Sequence, residues 1–163
     1  MKISLLPLLL PLLLPALLPG ASSATAAPAE RIPDARLAFA PLAARVGVLS
    51  AKPVSTVLRS WSEYFEVVGA PPPSDIDFRH EWVAYYGAGL QHVGGAVATI
   101  ESIELVEEGR ELRIATRLSL PALARGAAAG RDIPYAMVKF RRPPSIPGRF
   151  EFVGLRGMRL ATR

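Results

Sequence analysis

Between Glu111 and Leu120 the chain alternates strictly. Leu112, Ile114, Thr116, Leu118 and Leu120 point one way, and Arg113, Ala115, Arg117 and Ser119 point the other. A side-chain period of two with one apolar face is a strand half-buried in an antiparallel sheet, here with a basic outer face. The four residues before it, Glu107-Glu108-Gly109-Arg110, read as a hairpin loop in which Gly109 takes a positive φ. The preceding apolar run, 96–106, is therefore its antiparallel partner. Its alternation slips by one near Glu101-Ser102, which predicts a β-bulge there. Further strands are expected over 45–49, 54–58, 78–86, 133–141 and 150–155. Pro134 opens the fourth of these, which suits a first or edge position. Residues 121–131 are small and Ala/Gly-rich and read as an exposed loop or weak helical turn.

One helix stands out. Ser60-Trp61-Ser62-Glu63 has the form of a capping box, and Gly69 followed by Pro71-Pro72-Pro73 stops the helix. Trp61, Tyr64, Phe65 and Val68 recur at helical spacing, so the aromatic stripe is expected to pack into the core. The links between most strands are too short for parallel crossovers. The fold class is accordingly α+β: a mainly antiparallel sheet domain with one short capped helix packed on it.

The N-terminus reads as an export signal. Lys2 is followed by an apolar run from Ile3 to Leu18 and then by small residues through Ala24-Thr25-Ala26, a small-x-small cleavage pattern. Pro7, Pro11, Pro15 and Pro19 recur every fourth residue, which disfavours a retained spanning helix. The expected organisation is a signal peptide over 1–26, an Ala/Pro-rich linker or arm over 27–43, and a single domain over 44–163. The mature protein is expected in the periplasm or outside the cell, with no integral membrane span after cleavage.

Composition narrows the chemistry. The 163 residues include no Cys, which removes disulfides, thiolate metal sites and cysteine nucleophiles, and only two His. The net charge of +5 is modest for a nucleic-acid binder, and no nucleic-acid partner is expected. Charge is uneven, with seven cations and the single acid Glu151 from Lys139 to Arg163. The glycines of Gly87-Ala88-Gly89 and Gly94-Gly95 sit between two strands and open no helix, so they are not a phosphate cradle. Asp75, Asp77, His80 and Glu81 have the residue types of a metal or acid–base site, but acids placed before a strand commonly act as turn formers. No catalytic, cofactor-binding or metal-ligating residue is assigned, and no cofactor is expected.

The order of Ser60-Trp61-Ser62-Glu63-Tyr64-Phe65, Asp77-Phe78, the Gly89 to Gly95 loop and Pro134-Tyr135-Ala136-Met137-Val138-Lys139 resembles the C-terminal domain of the PrcB-like protease-complex subunit family, over roughly residues 54–153. The loop departs from that family's Thr-Gly-Gly-Tyr, reading Val93-Gly94-Gly95-Ala96. The resemblance implies a non-catalytic, β-rich exported module and a protein partner such as a secreted protease. Interaction candidates are Gly87, Gly89, His92, Gly94 and Gly95 in the glycine loop, with Arg113 and Arg117 on the outer strand face. The alternative expectation is a small-ligand or anionic-surface binder using Trp82, Tyr85 and Tyr86, and behind it a hydrolase around Asp75, Asp77 and His80.

Overall fold

The computed structural model describes residues 34–43, 47, 50–121 and 130–154. The predicted signal peptide, most of the predicted strand 45–49, the segment 122–129 and the basic residues beyond 154 lie outside the described residues. Eight strands and one helix follow in chain order: β1 (Ala35–Arg36), β2 (Phe39–Pro41), β3 (Val54–Leu58), α1 (Trp61–Val68), β4 (Glu81–Gly87), β5 (Val97–Val106), β6 (Glu111–Ser119), β7 (Tyr135–Arg141) and β8 (Arg149–Gly154).

The strands divide between two four-stranded sheets, ordered β1-β5-β6-β8 and β2-β7-β4-β3. The main core lies between them. Ile100, Ile103, Leu105, Leu112, Ile114 and Phe152 of the first sheet meet Val57, Trp82, Ala84, Tyr86, Val138 and Phe140 of the second. A smaller cluster on the far face of the second sheet joins Leu58, Val83, Tyr85 and Met137 to Tyr64 and Val68 of α1. The second sheet is thus covered on both faces. That explains β4, whose residues from Trp82 to Gly87 are all buried: Trp82, Ala84 and Tyr86 face the first sheet while Val83 and Tyr85 face the helix.

The β5–β6 hairpin follows the sequence expectation closely. Register shifts between Ile100 and Ser102, so the bulge lies at Glu101. Ala98 and Ile100 before it and Ile103 and Leu105 after it are all in the core; one extra residue restores the inward phase. The turn is tighter than glycine alone required. Glu107 and Glu108 also adopt positive φ (53° and 58°), with Gly109 at 84°, and Gly109 N–H donates to the carbonyl of Val106. Two central residues with positive φ give the primed type of turn that matches strand twist.

Three features differ from the sequence expectation. The Ala/Pro-rich arm is ordered in its described part: β1 pairs with β5 and β2 pairs with β7, so one short segment stitches the two sheets together. Leu37 and Phe39 from it pack on the core. β8 pairs parallel with β6 although every other pairing is antiparallel. The chain between them detours through β7 in the opposite sheet, which supplies the long connection a parallel pair needs. Finally, β7 is an inner strand, and Pro134 stands just before its first residue, where its carbonyl accepts from Ala88 N–H.

Candidate interaction surfaces

The glycine loop is two different structures. Gly87 and Gly89 are buried. Gly89 has φ 74°, and a Cβ there would lie 2.9 Å from the carbonyl of Ala51 and the nitrogen of Pro53. The neighbouring amides are already used: Ala88 N–H donates to Pro134, Leu90 N–H to Ala51, and Gln91 and Asp132 exchange a reciprocal pair. The Gln91 side-chain amide caps the carbonyls of Ala88 and Gly89. This half is therefore a packed crossing of backbones. His92 and Gly95 are exposed and Gly94 is half-buried. Gly95, at φ 80°, has open space where a Cβ would stand, its nearest neighbour Pro121 at 3.9 Å. Only His92, Gly94 and Gly95 remain on the surface from the glycine-loop candidates.

Arg113 and Arg117 do lie on the outer face of the first sheet, but not as free cations. Arg113 donates to Glu111 at 2.8 Å and to Glu151 at 3.4 Å, and Arg149 reaches the same two carboxylates at 3.4 Å each. Cross-strand register explains the square, since Glu111 stands opposite Arg149 and Arg113 opposite Glu151. Both carboxylates are buried beneath the guanidiniums. Desolvation works against the Arg113 charge, yet Glu111 and Glu151 outweigh it and raise its pKa. Arg117 pairs with Glu101, which the bulge turns outward. The expected basic face is a face of both signs, because Glu111 of β6 itself and Glu101 and Glu151 of the flanking strands supply the matching acids.

The acidic loop resolves into turn formers. Asp77 Oδ1 accepts from Arg79 N–H at 3.0 Å, Asp77 Oδ2 lies 2.9 Å from His80 Nδ1, and the Asp77 amide donates to Glu81. The Arg79 amide first, then His80, lowers the Asp77 pKa. Lys139 of β7 reaches Asp75 at 2.9 Å and Glu81 at 3.7 Å, which ties the loop to the sheet. That bond to Lys139 lowers the Asp75 pKa, and bonding to Asp75 is the main cause of the raised Lys139 pKa. Among the described residues no group of three or more His, Asp and Glu is placed to hold a metal. Trp82, Tyr85 and Tyr86, the aromatics of the alternative expectation, are 2%, 2% and 7% exposed and belong to the two cores.

The surface that sequence reasoning missed is on α1. Ser60 caps it as expected, its hydroxyl accepting from Glu63 N–H at 3.2 Å, and Gly69 closes it at φ 69°. The Glu63 carboxylate reaches the amide of Arg59 at 2.6 Å instead of that of Ser60, and also takes the Arg59 guanidinium. Of the aromatic stripe, Tyr64 and Val68 are fully buried, whereas Trp61 and Phe65 are 53% and 47% exposed. Their rings stack at 5.2 Å and 8°. The core expectation fails for these two because the loop after α1 supplies Ile76 and Phe78 to the cluster under the helix, with Phe78 packing edge-on against Tyr64. Along another side of α1 runs a cleft of about 550 Å³ between the helix, β3 and Phe150 of β8.

No family model, curated protein or solved structure matches this chain.

Proposed function

We propose that this chain is an exported, non-catalytic binding module whose partner is another protein, with an accessory role beside a secreted protease as the reading that the family resemblance favours. The observation that carries the proposal is the stacked Trp61–Phe65 pair, two large aromatics about half exposed on the only helix among the described residues. Exposed aromatics of this size are the residue types that dominate protein–protein binding energy, and they are costly to leave in water without a use. The glycine-loop residues His92 and Gly95, both exposed, with half-buried Gly94 are a second candidate at the end of the first sheet where β5 begins.

The test is a pull-down from the exported fraction with the full chain. Trp61→Ala/Phe65→Ala is compared with Gly94→Ala/Gly95→Ala, each first checked for a folded circular-dichroism spectrum. Loss of a specific protein with the aromatic variant supports the reading. Full retention of every partner by both variants, or an activity lost on replacing Asp77 and His80, overturns it.

A further inference from the structure

Two packed sheets have four edges, and edges are where sheets recruit further strands unless something prevents it. Three of the four are defended. β1 is two residues long, and β2 is three residues long and ends in Pro41. β8 carries the charged pair Arg149 and Glu151. β3 is different: five residues, Val54-Ser55-Thr56-Val57-Leu58, with no charge and no proline within the strand. It ends its sheet, and no described residue pairs with its outer side. Short edges, prolines and charges are the usual protections, and β3 has none of them.

The cleft beside α1 follows this edge. Thr56, Val57 and Leu58 all border it. Val57 faces the other sheet and Leu58 faces the helix. Consecutive residues with opposite side-chain directions border one space only where that space runs along the strand's backbone edge. The helix side of the cleft holds Val67 and the carboxylates Glu63 and Glu66; the other side holds Phe150 with Arg59 over its ring at 5.7 Å. Glu63 is taken by Arg59. Glu66 is exposed and has no hydrogen-bond or ion-pair partner among the described residues.

We infer that the outer edge of β3 is a docking site for an extended peptide segment with alternating basic and apolar side chains, which adds to the second sheet as a fifth strand. Backbone hydrogen bonds along β3 supply the affinity, and the alternation supplies the specificity. One set of side chains meets Glu66 and Val67 on the helix side, and the other meets Phe150. A second copy of this chain fits less well. Antiparallel β3–β3 pairing about a two-fold axis perpendicular to the sheet keeps both helices on the same face and places two Glu66 carboxylates there with no added cation. The inference builds on the binding-module reading and names the chemistry of a partner segment.

The probe is a synthetic nine-residue peptide alternating valine with lysine, compared with its valine–glutamate counterpart and with the lysine peptide N-methylated at every second residue. Full-length protein is used, with titration and hydrogen exchange as readouts. The lysine peptide is expected to slow exchange in residues 54–58 and to bind about fivefold to tenfold more tightly than the glutamate peptide, the ratio for exchanging one surface charge attraction for a repulsion. N-methylation is expected to abolish the protection. Glu66→Lys, at an exposed position, is expected to reverse the peptide preference without altering the fold. Equal binding of both charged peptides, absence of protection at about millimolar peptide, or protection that grows with protein concentration without peptide overturns the inference; the last outcome assigns the edge to a second copy. Partner capture in the pull-down together with no peptide effect leaves the binding module standing and removes this site.

Discussion

Trp61 and Tyr64 are three positions apart on one short helix, yet they answer differently to truncation. Tyr64 is fully buried under α1 and Trp61 is 53% exposed. Tyr64→Ala is expected to destabilise by about 3–5 kcal/mol, as for a buried large aromatic, and Trp61→Ala by less than about 1 kcal/mol. Urea unfolding of both variants checks the contrast. The Tyr64 hydroxyl is buried without a hydrogen-bond partner among the described residues, and burial, with a smaller contribution from Tyr135, raises its pKa. Removing an unsatisfied hydroxyl relieves its desolvation cost, so Tyr64→Phe is expected to hold or gain up to about 1 kcal/mol. A clear loss in thermal unfolding would contradict that. At Asp75 the sign follows from the Lys139 bond. Its folded pKa is lowered, so the contribution is present above the ordinary carboxylate value and disappears as pH falls through the folded one. Asp75→Asn is expected to flatten the acid limb of the stability profile below about pH 4 and to leave the neutral-to-mildly alkaline region parallel to wild type; an unchanged acid limb would refute the linkage.

At the scale of elements, the loop between β4 and β5 separates two uses of glycine. Gly89 needs both its positive φ and its missing side chain, because the backbone of 51–53 crosses within 2.9 Å of where a Cβ would stand. Gly95 needs only the φ. Gly89→Ala is therefore expected to cost about 3 kcal/mol or more, and Gly95→Ala about 1 kcal/mol. Equal losses in denaturant unfolding would mean that the crossing relaxes freely. The hairpin β5–β6 was legible residue by residue, since alternation, the slip at Glu101 and Gly109 are all local signals. The surroundings of Arg113 and Arg117 were not. Glu111, two residues before Arg113 on the same strand, is local, but the other acids come from Glu151, some forty positions away, and from a bulge that turns Glu101 toward Arg117.

For the whole molecule, the decisive segment is 34–41, which runs along both sheets and places Leu37 and Phe39 against the core. A loose arm would tolerate change there. Phe39→Ala is instead expected to destabilise by about 2–3 kcal/mol, below the full cost of a buried phenylalanine because Phe39 is only half-buried. A loss under about 0.5 kcal/mol by urea unfolding would restore the arm to a linker. The same segment pairs at the β1 end of one sheet and the β2 end of the other, while among the described residues nothing pairs with the outer side of β3.

The strand periods, the bulge, the helix caps and the α+β class were determined by the sequence itself, because each depends on residues within a turn or two of one another. The division of the strands into two sheets, the parallel partner of β6 and the pairing of 34–41 with both sheets were decided by tertiary structure, because period-two patterns state that a face is covered but not by what. The exposure of Trp61 and Phe65 was decided in the same way. Helical spacing puts Trp61, Tyr64, Phe65 and Val68 on neighbouring positions of one stripe. Which of them touch the core depends on how much of the sheet below is already filled, and Ile76 and Phe78 fill it from the loop before β4, where the sequence reads Phe78 as already the first residue of a strand that in fact begins at Glu81.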